Sequence, residues 1–377
     1  MKQYNKEDVD RIVFISDIHL GVKNASIEWV DNVTKYFDNF FIPLLKKYIN
    51  NNENVIVVIA GDFFDNRQHI DINILNIGAN IMKKISSLVE VFVIIGNHDI
   101  YKKKDTDVTS LRLFEFFDNV HLISELSELI LKGKDDDHKR KMMLVPWVGN
   151  HAEETKILSK HSSEDFVIMH TDIAGLKFDN GREIIDGTNI NVLKKGKIYS
   201  GHIHKRQESE KVVYLGSPYQ MRRSDIGNDK GIYSLKITNE IVEEVFELNK
   251  YSPKFLKLRL LDILELPLQK IKKLTENNYV DIIIKKSIMN EINMAKLMEA
   301  MEICNTKKIE VILDKNDTED VDNNPAAKKD MSITEIVAER LASFRDLTEE
   351  DRKTLTSMNI NYLTLAAETL GSEIEIG

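Results

Sequence analysis

The feature that most constrains this chain is a series of short apolar runs, several of them nearly unbroken Val/Ile/Phe, and all but one leading into a polar motif. Residues 11–16, 54–60, 89–95, 142–146, 165–170 and 197–200 are such runs. Their length suits strands, and their lack of alternation predicts strands covered on both faces. Residues 212–216, 231–237 and 241–248 alternate more and are separated by Gly, Pro and Asn turns, which predicts an antiparallel portion. Helices fit at 27–50, 71–88 and 107–118. In the second of these, Ile74, Leu75, Ile77, Ile81, Met82 and Ile85 form a broad apolar stripe. The expectation for 1–250 is a layered α/β domain, with mixed β-sheets flanked by helices.

Past Pro253 the pattern changes. Strands at 255–261, 279–284 and 308–313 with a helix at 290–303 predict a small α+β domain over 253–314. Residues 315–330 are rich in carboxylates and hold Val321 alone among large aliphatics, the composition of a solvated linker. Two helices follow within 331–370, each opened by a capping box: Ser332 with Glu335, and Thr348 with Asp351. A helical pair of this size buries too little surface to stand alone, so it is expected to bind a partner.

Composition narrows the function classes. The single cysteine, Cys304, excludes a disulfide framework and a multi-thiolate zinc site. No run reaches the roughly 18 apolar residues of a membrane span, and the first residues lack a signal-peptide core, so a cytoplasmic protein is expected. A net charge of −9 argues against a protein that coats nucleic acid. It does not argue against a nuclease, because cation-binding carboxylates add to the negative count.

The polar motifs carry the chemistry. They are Ser16-Asp17-Ile18-His19, Gly61-Asp62, Gly96-Asn97-His98-Asp99, His170, and Gly201-His202-Ile203-His204. Each follows a predicted strand, and in open α/β sheets strand ends feed one crevice. Oxygen and imidazole ligands without thiolate suit manganese, iron or zinc. Asp62, with two oxygens, is placed to bridge a metal pair. Two cations about 3.5–4 Å apart clamp the attacking and leaving oxygens of an in-line displacement, which predicts phosphoester hydrolysis. His98 is the expected proton donor, with Asp99 orienting its ring. Glycines before Asp62, Asn97 and His202 let the backbone approach the site. Of the ten histidines, His69, His121, His138, His151 and His161 lie outside the motifs and are given no role. Lys102, Lys103 and Lys104, and likewise Arg222 and Arg223, are candidates for contacting DNA phosphates, although such charge runs also occur as plain solvated loops.

The ordered set resembles the calcineurin-like metallophosphoesterase superfamily. Within it, Asp17-Ile18-His19-Leu20-Gly21, Gly61-Asp62-Phe63-Phe64-Asp65, Gly96-Asn97-His98-Asp99 and Gly216-Ser217-Pro218 resemble the SbcD-type, or meiotic-recombination-eleven, nucleases, with phage versions nearest in length. The resemblance implies that Asp17, His19, Asp62 and His204 hold one Mn2+ (or Mg2+ or another divalent ion). Asp62, Asn97, His170 and His202 would hold a second, with His98 catalytic. It implies a 3′-to-5′ exonuclease on duplex DNA and an endonuclease on single strands, acting with an SMC-like ATPase gripped by 331–370. Residues 253–314 would cap the DNA, and a homodimer would form through helices 71–88 and 107–118. A phage origin would place the protein in the host cytoplasm. Some members carry histidine where Asp65 stands, which leaves open whether Asp65 meets DNA or orients the site. Two alternatives remain at this stage. One is a phosphatase of phosphoproteins or small phosphodiesters, although those phosphatases usually end the third motif in Glu, where Asp99 stands. The other is a silent scaffold bridging DNA and an ATPase.

Overall fold

The computed structural model describes residues 1–102, 105–133, 139–238, 241–284 and 308–313, with single positions 295, 298 and 306. Met1–Asp314 forms one compact unit. Strand Arg11–Ile15 shows how its layers arise. Side chains alternate along a strand, so Ile12 and Phe14 enter one apolar cluster while Val13 and Ile15 enter another, and all are buried. Val55–Ala60 and Glu90–Ile94 divide in the same way, with Ile56, Val58, Phe92 and Ile94 on one side and Val57, Ile59, Val91 and Val93 on the other. These are the doubly covered strands that the apolar runs predict.

Among the described residues the first sheet has six strands, in the order Ile241–Leu248, Gly231–Thr238, Arg11–Ile15, Val55–Ala60, Glu90–Ile94 and Val120–Ile123. Its last four strands are parallel and its first two antiparallel. The second sheet runs Lys2–Lys6, Ser127–Lys132, Lys139–Leu144, Phe166–His170, Lys197–Gly201, Val212–Tyr214 and Gln207–Glu208. Leu129, Met142, Leu144, Ile168, Tyr199 and Val213 of this sheet meet the inner face of the first, where Phe14 stacks on Tyr199 with ring centroids 5.0 Å apart. Helices Ile27–Tyr36, Ile42–Asn50 and Ile72–Ser86 cover the outer face of the first sheet. Helix His151–Lys160 covers the second through Leu158. The order of layers is helix, sheet, sheet, helix.

Several sequence expectations change in detail. The helical stretch at 27–50 contains a π-helical turn at Phe37–Phe41. Pro43, in the first turn of the helix that follows, has no amide to donate. The helix expected at 107–118 is replaced by strand Asp105–Thr109 and a 3-10 helix Ser110–Phe116. There Thr109 Oγ1 donates to the Asp99 carbonyl (2.8 Å) and accepts from the Leu111 amide (3.2 Å), so the helical turn starts late. The strand expected at 255–261 stops at Arg259, and Leu260–Leu264 turns into a helix.

Strands Phe255–Arg259, Tyr279–Ile284 and Lys308–Leu313 pair in parallel. Tyr279 stacks on Phe255 (4.8 Å) and on Trp29 (5.7 Å), and Arg223 forms a two-pronged ion pair with Asp281 at 2.6 and 2.9 Å. The helix expected at 290–303, apart from helical positions 295 and 298, and all of 315–370 lie outside the described residues. No helix among the described residues is long and apolar enough to cross a membrane.

The interface between the sheets leads to a stability prediction. Phe14 is fully buried, so Phe14→Ala is expected to cost about 3–5 kcal/mol in urea denaturation. A loss below about 1 kcal/mol would show that the two sheets do not rely on this contact.

Candidate metal centre

Five parallel strands deliver the polar motifs from their carboxyl ends. Arg11–Ile15, Val55–Ala60 and Glu90–Ile94 lie side by side in one sheet, and Phe166–His170 and Lys197–Gly201 in the other. Beyond the strands the backbone bends sharply. Asp17, His19, Asp62 and His202 take left-handed φ values of 53°, 47°, 54° and 86°. Such conformations cost free energy for side chains with a Cβ and persist where buried neighbours over-determine them. Close approach also requires glycine. A Cβ on Gly96 would meet Asp62 Oδ1 at 2.3 Å, and one on Gly61 would meet His170 Nδ1 at 2.4 Å.

Asp62 sits at the middle of the cluster. Its Oδ2 lies 3.6 Å from His19 Nε2 and 3.2 Å from His170 Nε2, while its Oδ1 accepts from the His98 amide at 2.8 Å. On one side His19 Nε2 and His204 Nε2 face each other at 3.0 Å, with Asp17 Oδ1 3.9 Å from His204. On the other side Asn97 Oδ1 lies 2.9 Å from His202 Nδ1 and 3.0 Å from His170 Nε2. Three groups bring ligand atoms within 4.8 Å of one another: Asp17, His19 and His204; Asp62, His170 and His202; and a less buried set that shares His19, with Asp65 and His98.

The donor set fits divalent cations. Asp17 Oδ2 is buried with no hydrogen-bond partner among the described residues, and an unpaired buried carboxylate oxygen is costly. A pair of ring nitrogens facing each other beside carboxylates supplies lone pairs in the arrangement a cation needs. Burial pushes the Asp17 carboxyl up; His170 pulls it back, and the neighbouring Asp62 charge raises it again. Burial opposes a charge on His170, but Asp62 and Asp17 outweigh it and lift the ring to about 9. Burial alone would raise Asp62, yet His170, His19 and His98 hold it well below the ordinary range.

His98 and Asp99 are arranged differently from the expectation. His98 Nδ1 lies 2.6 Å from the carbonyl oxygen of Asp65, which holds the ring and leaves Nε2 for chemistry. Asp99 faces away from that ring. Its carboxylate accepts from the amides of Asp62 (2.8 Å), Gly96 (2.9 Å), Phe63 (3.0 Å) and Phe64 (3.4 Å). Burial and then the Asp62 charge push Asp99 up to about 7, while the Gly96 and Phe64 amides act in the opposite direction. Asp99 thus ties two motif loops together and does not orient the histidine. That task falls to the Asp65 main chain, and the Asp65 carboxylate holds His19 Nδ1 at 3.0 Å.

Of the candidate phosphate contacts, Arg222 touches His204 Nδ1 and lies 3.5 Å from Asp179. Arg223 is turned to Asp281. Lys102 is exposed, and Lys103 and Lys104 lie outside the described residues. Sequence reasoning missed Asp172, 3.3 Å from His202 Nε2, and Asp179, 3.9 Å from His204 Nδ1. It also missed the buried Lys230, which donates to the His204 carbonyl at 2.6 Å. The nearness of Asp172 to His170 in sequence was a usable signal, whereas Asp179 and Lys230 offered none.

Because a methyl group at Gly96 would displace Asp62, Gly96→Ala is expected to weaken divalent-cation binding in titration calorimetry. Unchanged binding would mean that Asp62 is not fixed by this contact.

Comparison with known proteins agrees with the geometry. The family model described as calcineurin-like phosphoesterase matches residues 10–206. Exonuclease subunit 1 of Enterobacteria phage T4 is 24% identical over 356 residues, which cover 92% of this chain and 96% of that protein. Protein 078R of Invertebrate iridescent virus 3 is 25% identical over 229 residues, 58% of this chain and 60% of that one. The crystal structure of calcineurin-like phosphoesterase YfkN from Bacillus subtilis covers 63% of this chain at 14% identity, with a TM-score of 0.34. With five strand ends supplying the centre and the family model spanning more than half of the sequence, the chain belongs to the calcineurin-like phosphoesterases.

Proposed function

We propose that this chain is a manganese-dependent DNA nuclease, the catalytic subunit of a complex with an SMC-like ATPase that processes DNA ends. The observation that carries the reading is Asp62, a buried carboxylate set between two groups of ligands. Similarity to the phage exonuclease subunit along nearly the whole of both chains supports DNA as the substrate. It likewise supports a partner subunit, for which 331–370 is the proposed grip.

Asp17, His19 and His204 would hold one cation, and Asn97, His170 and His202 the other, with Asp62 shared. The pair would supply charge stabilisation for an in-line displacement at phosphorus. The protein's own residues do the rest. The loop-tying carboxylate of Asp99 keeps Asp62 and Asn97 in register. His98 donates Nδ1–H to the Asp65 carbonyl, so Nε2 carries a proton only in the imidazolium form, and it is that form which would give a proton to the leaving oxygen. Burial lowers its pKa, Asp62 works against that, and His19 adds to it. Arg222, beside His204 and with its side chain partly exposed, is the proposed phosphate contact. The proposed reactions are 3′-to-5′ digestion of duplex DNA and cleavage of single strands.

Chelation is expected to abolish hydrolysis of a DNA duplex, with Mn2+ restoring it better than Mg2+. His98→Ala is expected to bind Mn2+ as tightly as the parent and to lose 10²–10⁴-fold in turnover. Hydrolysis of p-nitrophenyl esters without DNA cleavage would shift the reading to a phosphatase.

A homodimer is proposed through helix Ile72–Ser86 and the adjoining 3-10 helix. Ile72 and Phe116 are each 84% exposed, and Val108, Leu113 and Tyr101 are also exposed. Where such side chains adjoin, they would suit an association surface. Phe116→Glu is expected to convert a dimer to a monomer in sedimentation, and a monomeric parent protein would refute the proposal.

A further inference from the structure

Loop 171–189 lies behind the imidazoles of Gly201-His202-Ile203-His204 and brings carboxylates that the motif itself lacks. Asp172 Oδ1 is buried, has no hydrogen-bond partner among the described residues, and lies 3.3 Å from His202 Nε2, the nearest charged or ring nitrogen to it. The opposite ring nitrogen, His202 Nδ1, faces Asn97 and the metal centre at 2.9 Å. The imidazole therefore spans from the centre to a carboxylate.

The loop is pinned at both ends. Glu154, 1% exposed, accepts from Thr171 Oγ1 at 2.6 Å and also from Thr188 Oγ1, and His151 Nδ1 lies 3.2 Å from the same oxygen. The Thr188 amide donates to the Asp172 carbonyl at 2.8 Å. Tyr214 Oη donates to the Thr171 carbonyl at 3.0 Å and accepts from the Ile173 amide at 2.7 Å. All of these bonds use the neighbours or the main chain of Asp172. Its carboxylate takes no part in holding the loop, so its placement against His202 is not explained by loop structure.

Two other imidazoles of the centre, His19 and His170, have an acceptor behind the ring, whereas His204 meets Arg222 there. His19 Nδ1 is backed by Asp65 at 3.0 Å, and His170 Nδ1 donates to the Ala60 carbonyl at 2.8 Å. An acceptor behind a ligand imidazole fixes which nitrogen carries the proton and aims the other lone pair. The geometry points to Asp172 as the positioning residue for His202, holding its proton on Nε2 so that Nδ1 is open to a cation. This inference rests on the two-cation reading proposed above.

Two readouts test it. Asp172→Ala is expected to weaken one of two Mn2+ binding events about 10–100-fold by titration calorimetry, leaving the other unchanged. Asp172→Asn, which keeps an oxygen acceptor, should recover most of that affinity. In the metal-free protein, imidazole 15N shifts should report an Nε2-protonated His202 in the parent and loss of that preference in Asp172→Ala. Binding within twofold of the parent at both sites, with the tautomer unchanged, would overturn the assignment. So would loss of both sites together with the folding transition, since that is a structural defect. If the parent binds fewer than two Mn2+, the two-cation reading fails, and the tautomer comparison still decides the role of Asp172.

Discussion

Burying several carboxylates at one seam between two sheets is the constraint around which the rest of the molecule is arranged. Asp17, Asp62 and Asp99 are each no more than 2% exposed, and unpaired charges in such a place are prohibitive. Each is handled separately. Asp99 is enclosed by four amides, Asp62 by an amide and flanking imidazoles, and Asp17 by the His202 amide at 3.0 Å. The compensation stops at Asp17 Oδ2. What remains unsatisfied is acceptor capacity next to imidazole lone pairs, which is the complement of a cation. The centre and the fold are therefore one electrostatic problem: the loops that satisfy Asp62 and Asp99 also set the distances between the ligands.

The seam exists because both sheets send parallel strands the same way. Parallel strands buried on both faces are mostly apolar along their length, so most polar residues gather at their ends. Arg11–Ile15, Val55–Ala60 and Glu90–Ile94 do this in one sheet, and Phe166–His170 and Lys197–Gly201 in the other. Strain is tolerated there for the same reason. Four site residues sit at positive φ, and the fully buried strands before them leave the chain no cheaper path. The price in free energy is local, while the rigidity it secures is shared by the whole site.

That division explains what was legible in the sequence. Apolar runs ending in Asp, His or Asn announce both the strand and its functional end, so the layered α/β fold and the residues brought together at the seam were readable. Features set by contact across the chain were not. Asp99 follows His98 directly, and adjacency suggested a shared task; in the turn the two side chains point to different partners. The spacing of Val108, Leu111 and Phe114 fits a helix, yet a threonine side-chain bond delays the turn and leaves a strand before it. Lys2–Lys6 is an edge strand of polar residues, with no hydrophobic pattern to reveal it. The carboxylates behind His202 and His204 come from a loop whose path is fixed by Glu154, and no local pattern encodes that path.

An acidic chain proposed to handle a polyanion is the remaining tension, and the placement of charge resolves it. The net charge of −9 counts every carboxylate alike, but those of the seam are buried and turned inward, where two divalent cations would outweigh them. Other carboxylates are paired on the spot, as Asp281 is by Arg223 and Asp225 by the buried Lys230 at 2.9 Å. Arg222 remains beside His204, its side chain 45% exposed and 3.5 Å from Asp179. Long-range repulsion falls off over about 8–10 Å at physiological salt, so with cations bound the field felt at the seam would be mainly that of the cations and Arg222. Net charge describes the chain as a whole; what a phosphodiester meets at the strand ends is set by the few groups within a Debye length of Asp62.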